Sequence, residues 1–355
     1  MKIRIITIHD LGNNFGSTLQ ACAMNEFIKN IGYEDTKLIN YIPSYTNNKG
    51  YLAQLIKKIL FFRDYRIQKK RFMDYFSKHS NLTKKYTKYQ QLKQENDGDL
   101  YIVGSDQLWN EFYHAGRDDA YYLKFTNCKN KMSYSASLGQ LHTEETLKRI
   151  GSKIQDFKFV ALREQASVKQ FEDYKIKNAV HVLDPVFLFD KNYYIDSNYK
   201  NIYGDYLLVY TVNNSELLDM VVKKVSEKLK LKIVLVGGYL QKCPNDYYLR
   251  DIGPYEFVNL INNAKYVIAN SFHATAMSII LNKQFSIVLP NNSPMRLIDM
   301  LMVAEIGDRV IKNESKIDLA FDEIDYSHVN KVIDKKRKES QEYLINSINY
   351  FSKNS

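Results

Sequence analysis

The residues best placed to do chemistry lie in "YVIANSFHATAMSIILNKQF", Tyr266 to Phe285, where an apolar strand-like run gives way to a helix-like one. Ser271 stands at the N-cap position, with a hydroxyl able to accept a bond from an early helix N–H. His273 falls in the first helical turn. Free N–H groups and the helix dipole make that end a place for anions, and a histidine there can add a hydrogen bond to a phosphate or carboxylate. Lys283, after the helix, and Arg296, early in the helix-like "NNSPMRLIDML", supply the cations that a multiply anionic substrate needs. Each of these residues also has a plainer reading, a packed histidine or a wet surface cation.

A second group lies in the N-terminal half. "NNFGSTLQ" sets Asn14 and Gly16 at the entry to a helix after the first strand, where a glycine lets backbone N–H groups approach a phosphate or a sugar. The stretch lacks both GxGxxG and GxxxxGK[ST], so neither a dinucleotide fingerprint nor a P-loop is present. "VGSDQLWN" offers Ser105, Asp106 and Gln107 directly after a strand. Asp106 is a candidate general base or ligand for an acceptor hydroxyl, or else an Asx turn. Arg163 in "ALREQ" ends another strand. With no HExxH, no DxD in a glycosyltransferase-like context and no His/Cys cluster, neither a metal nor a cofactor is expected.

These groups need elements to hold them. "IRIITI", a Gly/Asn loop, a helix over "STLQACAMNEFIKNIG" and "TKLINY" predict a βαβ unit. "DLYIVGSDQLWN", "KMSYSASLG" and "KFVALREQASVKQF" each predict a strand that delivers polar residues at its carboxyl end. "HVLDPVFLF", with Pro185, reads as the crossing between lobes. A second βα alternation follows, from "YLLVYTV" through "SELLDMVVKKVSEKLK", "KIVLVGG", "GPYEFVNLINNA", "KYVIAN" and "FHATAMSIILN" to "QFSIVLP". The expected organisation is an N-terminal Rossmann-like lobe over 1–185, a C-terminal one over 186–327 and a last helix over 328–355 that could pack back across the first lobe. Two parallel-sheet lobes facing one cleft make a GT-B-like α/β architecture.

At 355 residues the chain exceeds what one hydrophobic core usually supports, and 45% hydrophobic with 25% charged residues is a globular balance. No segment approaches about 18 uncharged apolar residues, and the N-terminus lacks a signal-peptide pattern, so a soluble cytoplasmic protein is expected. Cys22, Cys128 and Cys243 are scattered and suggest no disulfide framework. The net charge of +10 favours anionic partners, but its even spread argues against nucleic acid. Residues 51–78, "YLAQLIKKILFFRDYRIQKKRFMDYFSK", predict a basic helix that either packs with a wet face or brings the protein to the inner face of a membrane.

Taken in order, "NNFGSTLQACAMNEFIKNIGY", "VGSDQLWN", "SYSASLG", "ALREQASVKQF", "VLDPVFLF", "NSFHATAMSIILNKQF" and "RLIDMLMVAEIGDRV" resemble the polysaccharide pyruvyl transferase family from residue 1 to about 311. The resemblance implies a GT-B-like fold. It also implies transfer of the enolpyruvyl or pyruvyl unit of phosphoenolpyruvate to sugar hydroxyls of a bacterial surface polysaccharide or its lipid-linked precursor. His273 matches the histidine of the family's S-F-H-G motif and Arg163 the arginine of its V-R-E motif. His273 would then assist phosphate departure or act as the acid, and Asp106 would act as base. The family glycine is replaced by Ala274, whose methyl is expected to crowd an anion on that helix end. A GT-B nucleotide-sugar glycosyltransferase and a noncatalytic glycan-binding protein are the competing readings.

Overall fold

The computed structural model describes residues 1–9, 14–47, 60–237, 242–290 and 293–354. Two parallel sheets form its frame. The first contains β1 (Ile3–Ile6), β2 (Thr36–Leu38), β3 (Leu100–Val103) and β4 (Lys131–Ser133), in the order β2-β1-β3-β4. Its register sets Ile5 beside Leu38 on one side and Ile102 on the other. Bridges from Met132 to Phe159 and from Ala136 to Leu162 carry the sheet on to β5 (Ala161–Leu162), which pairs with β6 (Val180–His181). β1, β3 and β4 are buried along their whole length, as parallel strands covered on both faces are.

The second sheet has six parallel strands in the order β12-β11-β10-β7-β8-β9. They are β7 (Tyr206–Thr211), β8 (Lys232–Gly237), β9 (Tyr247–Leu249), β10 (Tyr266–Ala269), β11 (Phe285–Val288) and β12 (Val310–Ile311). Of these, β9 and β12 are too short for their alternation to be read from sequence, and they pair only because a neighbouring edge is waiting.

Each sheet has one point where the chain reverses its direction of winding: between β1 and β3 in the first, between β7 and β10 in the second. At such a switch point the loops splay apart outside the carboxyl ends of the strands and open a crevice. Helix α1 (Phe15–Asn30) starts at the first switch point and the helix after β10 starts at the second. The two crevices face each other.

The lobes are joined by shared apolar packing. Phe15, at the start of α1, is 4% exposed and lies in one cluster with Val267, Phe272 and Ala274 of the second lobe. Its ring stacks on Phe257 at 4.4 Å between centroids and also meets Phe72 at 5.1 Å and Tyr210 at 5.8 Å. Phe72 comes from α2 (Phe62–His79), whose inner face buries Gln68, Phe72 and Phe76. The rest of the expected basic helix, residues 51–59, lies outside the described residues. The outer face of α2 exposes Phe62, Arg66, Lys69, Lys70 and Met73.

Helix α3 (Glu144–Lys153) and α4 (Gln165–Asp173) flank the first sheet. Helices α5 (Glu216–Leu229), α6 (Pro254–Asn263), α7 (Phe272–Ile280) and α8 (Met295–Val303) flank the second. The last helix, α9 (Tyr326–Lys353), crosses between lobes. Val329 and Ile333 pack in the cluster of the second lobe, whereas Leu344, Ile348 and Phe351 pack under β1 and β3. Midway along α9, Ser340 Oγ accepts from Leu183 N at 3.0 Å and Arg337 Nε donates to Phe187 O at 2.8 Å. No helix among the described residues is long and apolar enough to cross a membrane.

The stacked ring of Phe15 gives a direct test of how the lobes hold together. Phe15→Ala should lose about 3–5 kcal/mol, the usual cost of emptying a buried phenylalanine site, measured as a fall in the urea midpoint.

Candidate active site

The polar residues at the carboxyl ends of the strands converge on one carboxylate. Asp184 follows β6 at the lobe crossing, and its side chain has no exposed surface. Its Oδ2 accepts from Ser105 Oγ at 2.7 Å and from Arg163 Nη1 at 3.0 Å, both in the first lobe. The same oxygen lies 3.6 Å from Nε2 of His273 on the second lobe, an ion-pair distance slightly long for a hydrogen bond. The other oxygen accepts from Val186 N at 3.1 Å and starts the short turn at Pro185. Burial alone would push the Asp184 pKa up, but His273, the Arg163 charge and the Ser105 hydroxyl outweigh it and hold the carboxyl well below the usual range.

His273 reaches this carboxylate because Gly16 makes room for its ring. A Cβ at Gly16 would lie 2.0 Å from His273 Nδ1, so the first turn of α1 and the first turn of α7 can meet only without a side chain there. Gly16 is therefore inside α1 rather than in the loop before it, and it admits an imidazole. Asn14 is the N-cap, accepting from Ser17 N at 3.1 Å.

Arg163 is buried, with Nε 3.2 Å from Glu164 Oε1 and its guanidinium 4.2 Å from the centre of the Phe272 ring. Glu164 is fixed in turn by Ser137 Oγ at 2.6 Å and Ser167 Oγ at 3.3 Å. Arg296, on the first turn of α8, brings a second guanidinium within 6.0 Å of the same ring. Burial and the charge of Arg163 both press its pKa down, against Asp106 and Glu164. Two buried donors at this junction have no protein partner, Arg163 Nη2 and Arg296 Nε, while His273 Nε2 has only its 3.6 Å approach to Asp184 Oδ2. Each such group costs about 1–3 kcal/mol until something accepts from it. A narrow cavity of ≈ 10 Å³, lined by Arg163, Asp184, Phe272, Arg296 and Asp299 among others, separates the two arginines. That is about the space of one water.

Asp106 sits at the edge of this group in a left-handed conformation, φ +79°, and Ser135 across from it has φ +61°. Non-glycine residues in that region store strain, and strain gathers at functional sites. Asp106 Oδ1 accepts from Gln107 N at 3.0 Å, and Gln107 Oε1 accepts from Asn110 Nδ2 at 2.8 Å. Among the described residues no group of three or more His, Cys, Asp or Glu is arranged to hold a metal ion.

This arrangement can be set beside known proteins. A family model described as polysaccharide pyruvyl transferase matches residues 14–293. The chain belongs to the polysaccharide pyruvyl transferase family. No curated protein matches the sequence significantly. Among solved structures it is similar to the S. aureus MnaA–UDP co-structure, at 10% identity over 99% of this chain and 97% of that one, with a TM-score of 0.63. It is also similar to the Methanocaldococcus jannaschii UDP-GlcNAc 2-epimerase in complex with UDP-GlcNAc and UDP, at 13% identity over 99% and 100%, with a TM-score of 0.56. Trehalose-6-phosphate synthase OtsA gives 10% identity over 98% and 99%, with a TM-score of 0.54. At such identities the likeness is one of fold, and that fold is GT-B.

For this member of the pyruvyl transferase family, several sequence expectations need correcting. Lys283 lies beyond the far end of α7, about 13 Å from its N-terminus at 1.5 Å per residue. Its Nζ donates to Asn262 O at 2.8 Å, so it serves the base of the lobe. Ser271 occupies the N-cap by backbone geometry, but its side chain makes no cap bond. Ala274 has no exposed surface, and its methyl belongs to the apolar cluster of the second lobe. It faces the core and does not crowd the cleft. Asp184, Glu164, Ser137 and Asp299 were not singled out from sequence. An aspartate after the apolar run "HVL" was the available signal for the first of them.

Two outcomes follow. Ala274→Gly should cost about 1–2 kcal/mol through helix propensity and a lost buried methyl, yet leave the affinity for any anionic donor unchanged in a binding titration. Because the native pKa of Asp184 is depressed, its contribution to stability is complete above about pH 4, the ordinary aspartate value. It disappears as the pH falls through the depressed native value. Asp184→Asn should cost about 3–5 kcal/mol at neutral pH and narrow its deficit against wild type in thermal melts below pH 4.

Proposed function

We propose that this protein transfers the pyruvyl unit of phosphoenolpyruvate to two hydroxyls of one sugar, on a bacterial surface polysaccharide or its lipid-linked precursor. The observation that carries the reading is the convergence of two unpartnered buried donors, on Arg163 and Arg296, with the His273 imidazole at the uncapped N-terminus of α7. A small donor bearing both a phosphate and a carboxylate meets that demand. The 10 Å³ space between the arginines admits such a donor only if α8 or the lobes shift on binding.

In the proposed reaction the methylene carbon of the donor is protonated and C2 becomes electrophilic. One sugar hydroxyl adds to C2 and gives up its proton. The second hydroxyl then adds as the C2–O bond to phosphate breaks, so phosphate leaves with the bonding electrons and the ketal closes. One hydroxyl proton balances that gained by the new methyl group, and the other leaves with phosphate. Arg163 and Arg296 stabilise the charge on the donor, and His273 donates to the departing phosphate. Asp184, 3.6 Å from Nε2, orients the imidazole. Asp106, strained at the acceptor side, takes the hydroxyl proton. Ser105 and Gln107 hold that edge, and the backbone at Ser271 faces the donor. The exposed cationic and apolar face of α2 supports contact with an anionic bilayer carrying a lipid-linked acceptor.

The test is phosphate release from phosphoenolpyruvate with a panel of free and lipid-linked glycosides, and mass detection of the ketal. His273→Ala should lower kcat about 10²–10⁴-fold, the range for a lost general acid. Arg296→Ala should raise the KM for phosphoenolpyruvate about 10–100-fold, as expected for a lost charged hydrogen bond. Turnover of a nucleotide sugar with no phosphoenolpyruvate-dependent product would overturn the assignment.

A further inference from the structure

A second groove lies on the first lobe. The loop after β3, the segment before α3 and α3 itself enclose a groove of ≈ 470 Å³, lined by Glu111, Phe112, Arg117, His142, Arg149 and Lys153 among others. It is built on the chain segments that also supply Asp106 and Ser137. Gly139, with φ +74°, lets the two segments close: a Cβ there would lie 2.2 Å from Gln107 Oε1 and 2.6 Å from Asn110 Nδ2.

The groove presents an aromatic face that folding does not require. Phe112 is 68% exposed, yet it is held in place. Its N–H donates to Asn110 Oδ1 at 3.1 Å, and its ring lies 5.4 Å from that of His142. The loop behind it is rigid, since a Cβ at Gly116 would strike the Asn110 backbone at 2.2 Å and Tyr122 Oη donates to Gly116 O at 2.7 Å. A flat apolar ring fixed in water beside polar groups suits the apolar face of a pyranose.

The polar groups suit its hydroxyls. Arg149 Nε approaches both Glu111 oxygens, at 3.1 and 3.0 Å, so the pair offers donors and acceptors side by side. His142 Nε2 meets Leu138 O at 3.1 Å, which places the proton on Nε2 and leaves Nδ1 as an acceptor. Burial lowers the His142 pKa and keeps the ring neutral. Arg149 is matched by Glu111 and by Glu145 at 3.5 Å, and Lys153 by Asp119 at 2.8 Å, whereas no hydrogen bond or ion pair engages the Arg117 guanidinium within the described residues.

We propose that this groove is the acceptor subsite and that it takes a glycosyl phosphate, with the pyranose stacked on Phe112 and the phosphate near Arg117. The proposal rests on the reading of the protein as a glycan-modifying transferase for its role, although binding can be measured without turnover. The probes are glucose, galactose and N-acetylglucosamine 1-phosphates and the matching methyl glycosides, titrated calorimetrically into the full chain. At least one sugar phosphate should bind. Phe112→Ala should weaken it tenfold or more, and Arg117→Glu should weaken it tenfold or more while changing binding of the methyl glycoside less than twofold. Both side chains are exposed, so both variants should keep the wild-type melting temperature and the wild-type thermal shift with phosphoenolpyruvate. Binding of no probe, unchanged binding in both variants, or loss of the phosphoenolpyruvate shift would each overturn the subsite. A sugar phosphate bound through Phe112 and Arg117 by a protein that releases no phosphate from phosphoenolpyruvate would keep the subsite and reject pyruvyl transfer.

Discussion

The buried carboxylate of Asp184 is the interaction on which the site depends. It lies where the chain passes between lobes, and its partners come from both: Ser105 and Arg163 from one, His273 from the other. A charge without exposed surface is tolerated only when it is paired and hydrogen-bonded, so these side chains are not free to take other positions. The requirement extends outward. Arg163 draws in Glu164, Glu164 draws in Ser137 and Ser167, and His273 needs a glycine at position 16 of the opposite lobe.

The same network leaves donors unmet. Arg163 has its Nε and Nη1 engaged by carboxylates while Nη2 has no protein acceptor, and Arg296 places a second cation at the same aromatic ring. Two guanidinium groups near one phenylalanine, with an imidazole beside them, cost stability when unaccompanied. Strained backbone at Asp106 and Ser135 adds to that cost. A sequence selected for stability alone would relieve these conflicts, and their concentration at facing switch points marks the place as a candidate binding site.

The alternation of apolar strands and amphipathic helices makes both lobes legible in the sequence, because period and length are local properties. His273 and Arg163 were legible through ordered motifs. The role of Asp184 was hidden because "LDP" reads locally as a turn, which it also is: its Oδ1 starts that turn while its Oδ2 holds the lobes. Lys283 misled because proximity in sequence to His273 becomes separation by a whole helix. Ala274 misled for a related reason. The direction of a methyl on the first turn of a helix is fixed by how that helix docks, and docking is a tertiary fact.

Helix α8 shows how lobe position and site geometry are made one variable. Its Arg296 enters the site, and one turn later Asp299 reaches across to the other lobe, accepting from Gln165 N at 3.0 Å and Ala166 N at 3.1 Å. Those are the orphan donors at the start of α4, which Glu164, at the N-cap, leaves without a side-chain cap. The cap is thus supplied in trans by the second lobe, where a carboxylate also meets the positive end of the helix. Burial raises the Asp299 pKa, and the two backbone N–H groups work against that shift. Because α4 begins directly after Arg163 and Glu164, any movement that withdrew Asp299 would uncap the helix that follows Arg163 and withdraw Arg296 at the same time. Separation of the lobes would therefore open the cavity between the two arginines and take apart their shared cluster in one motion.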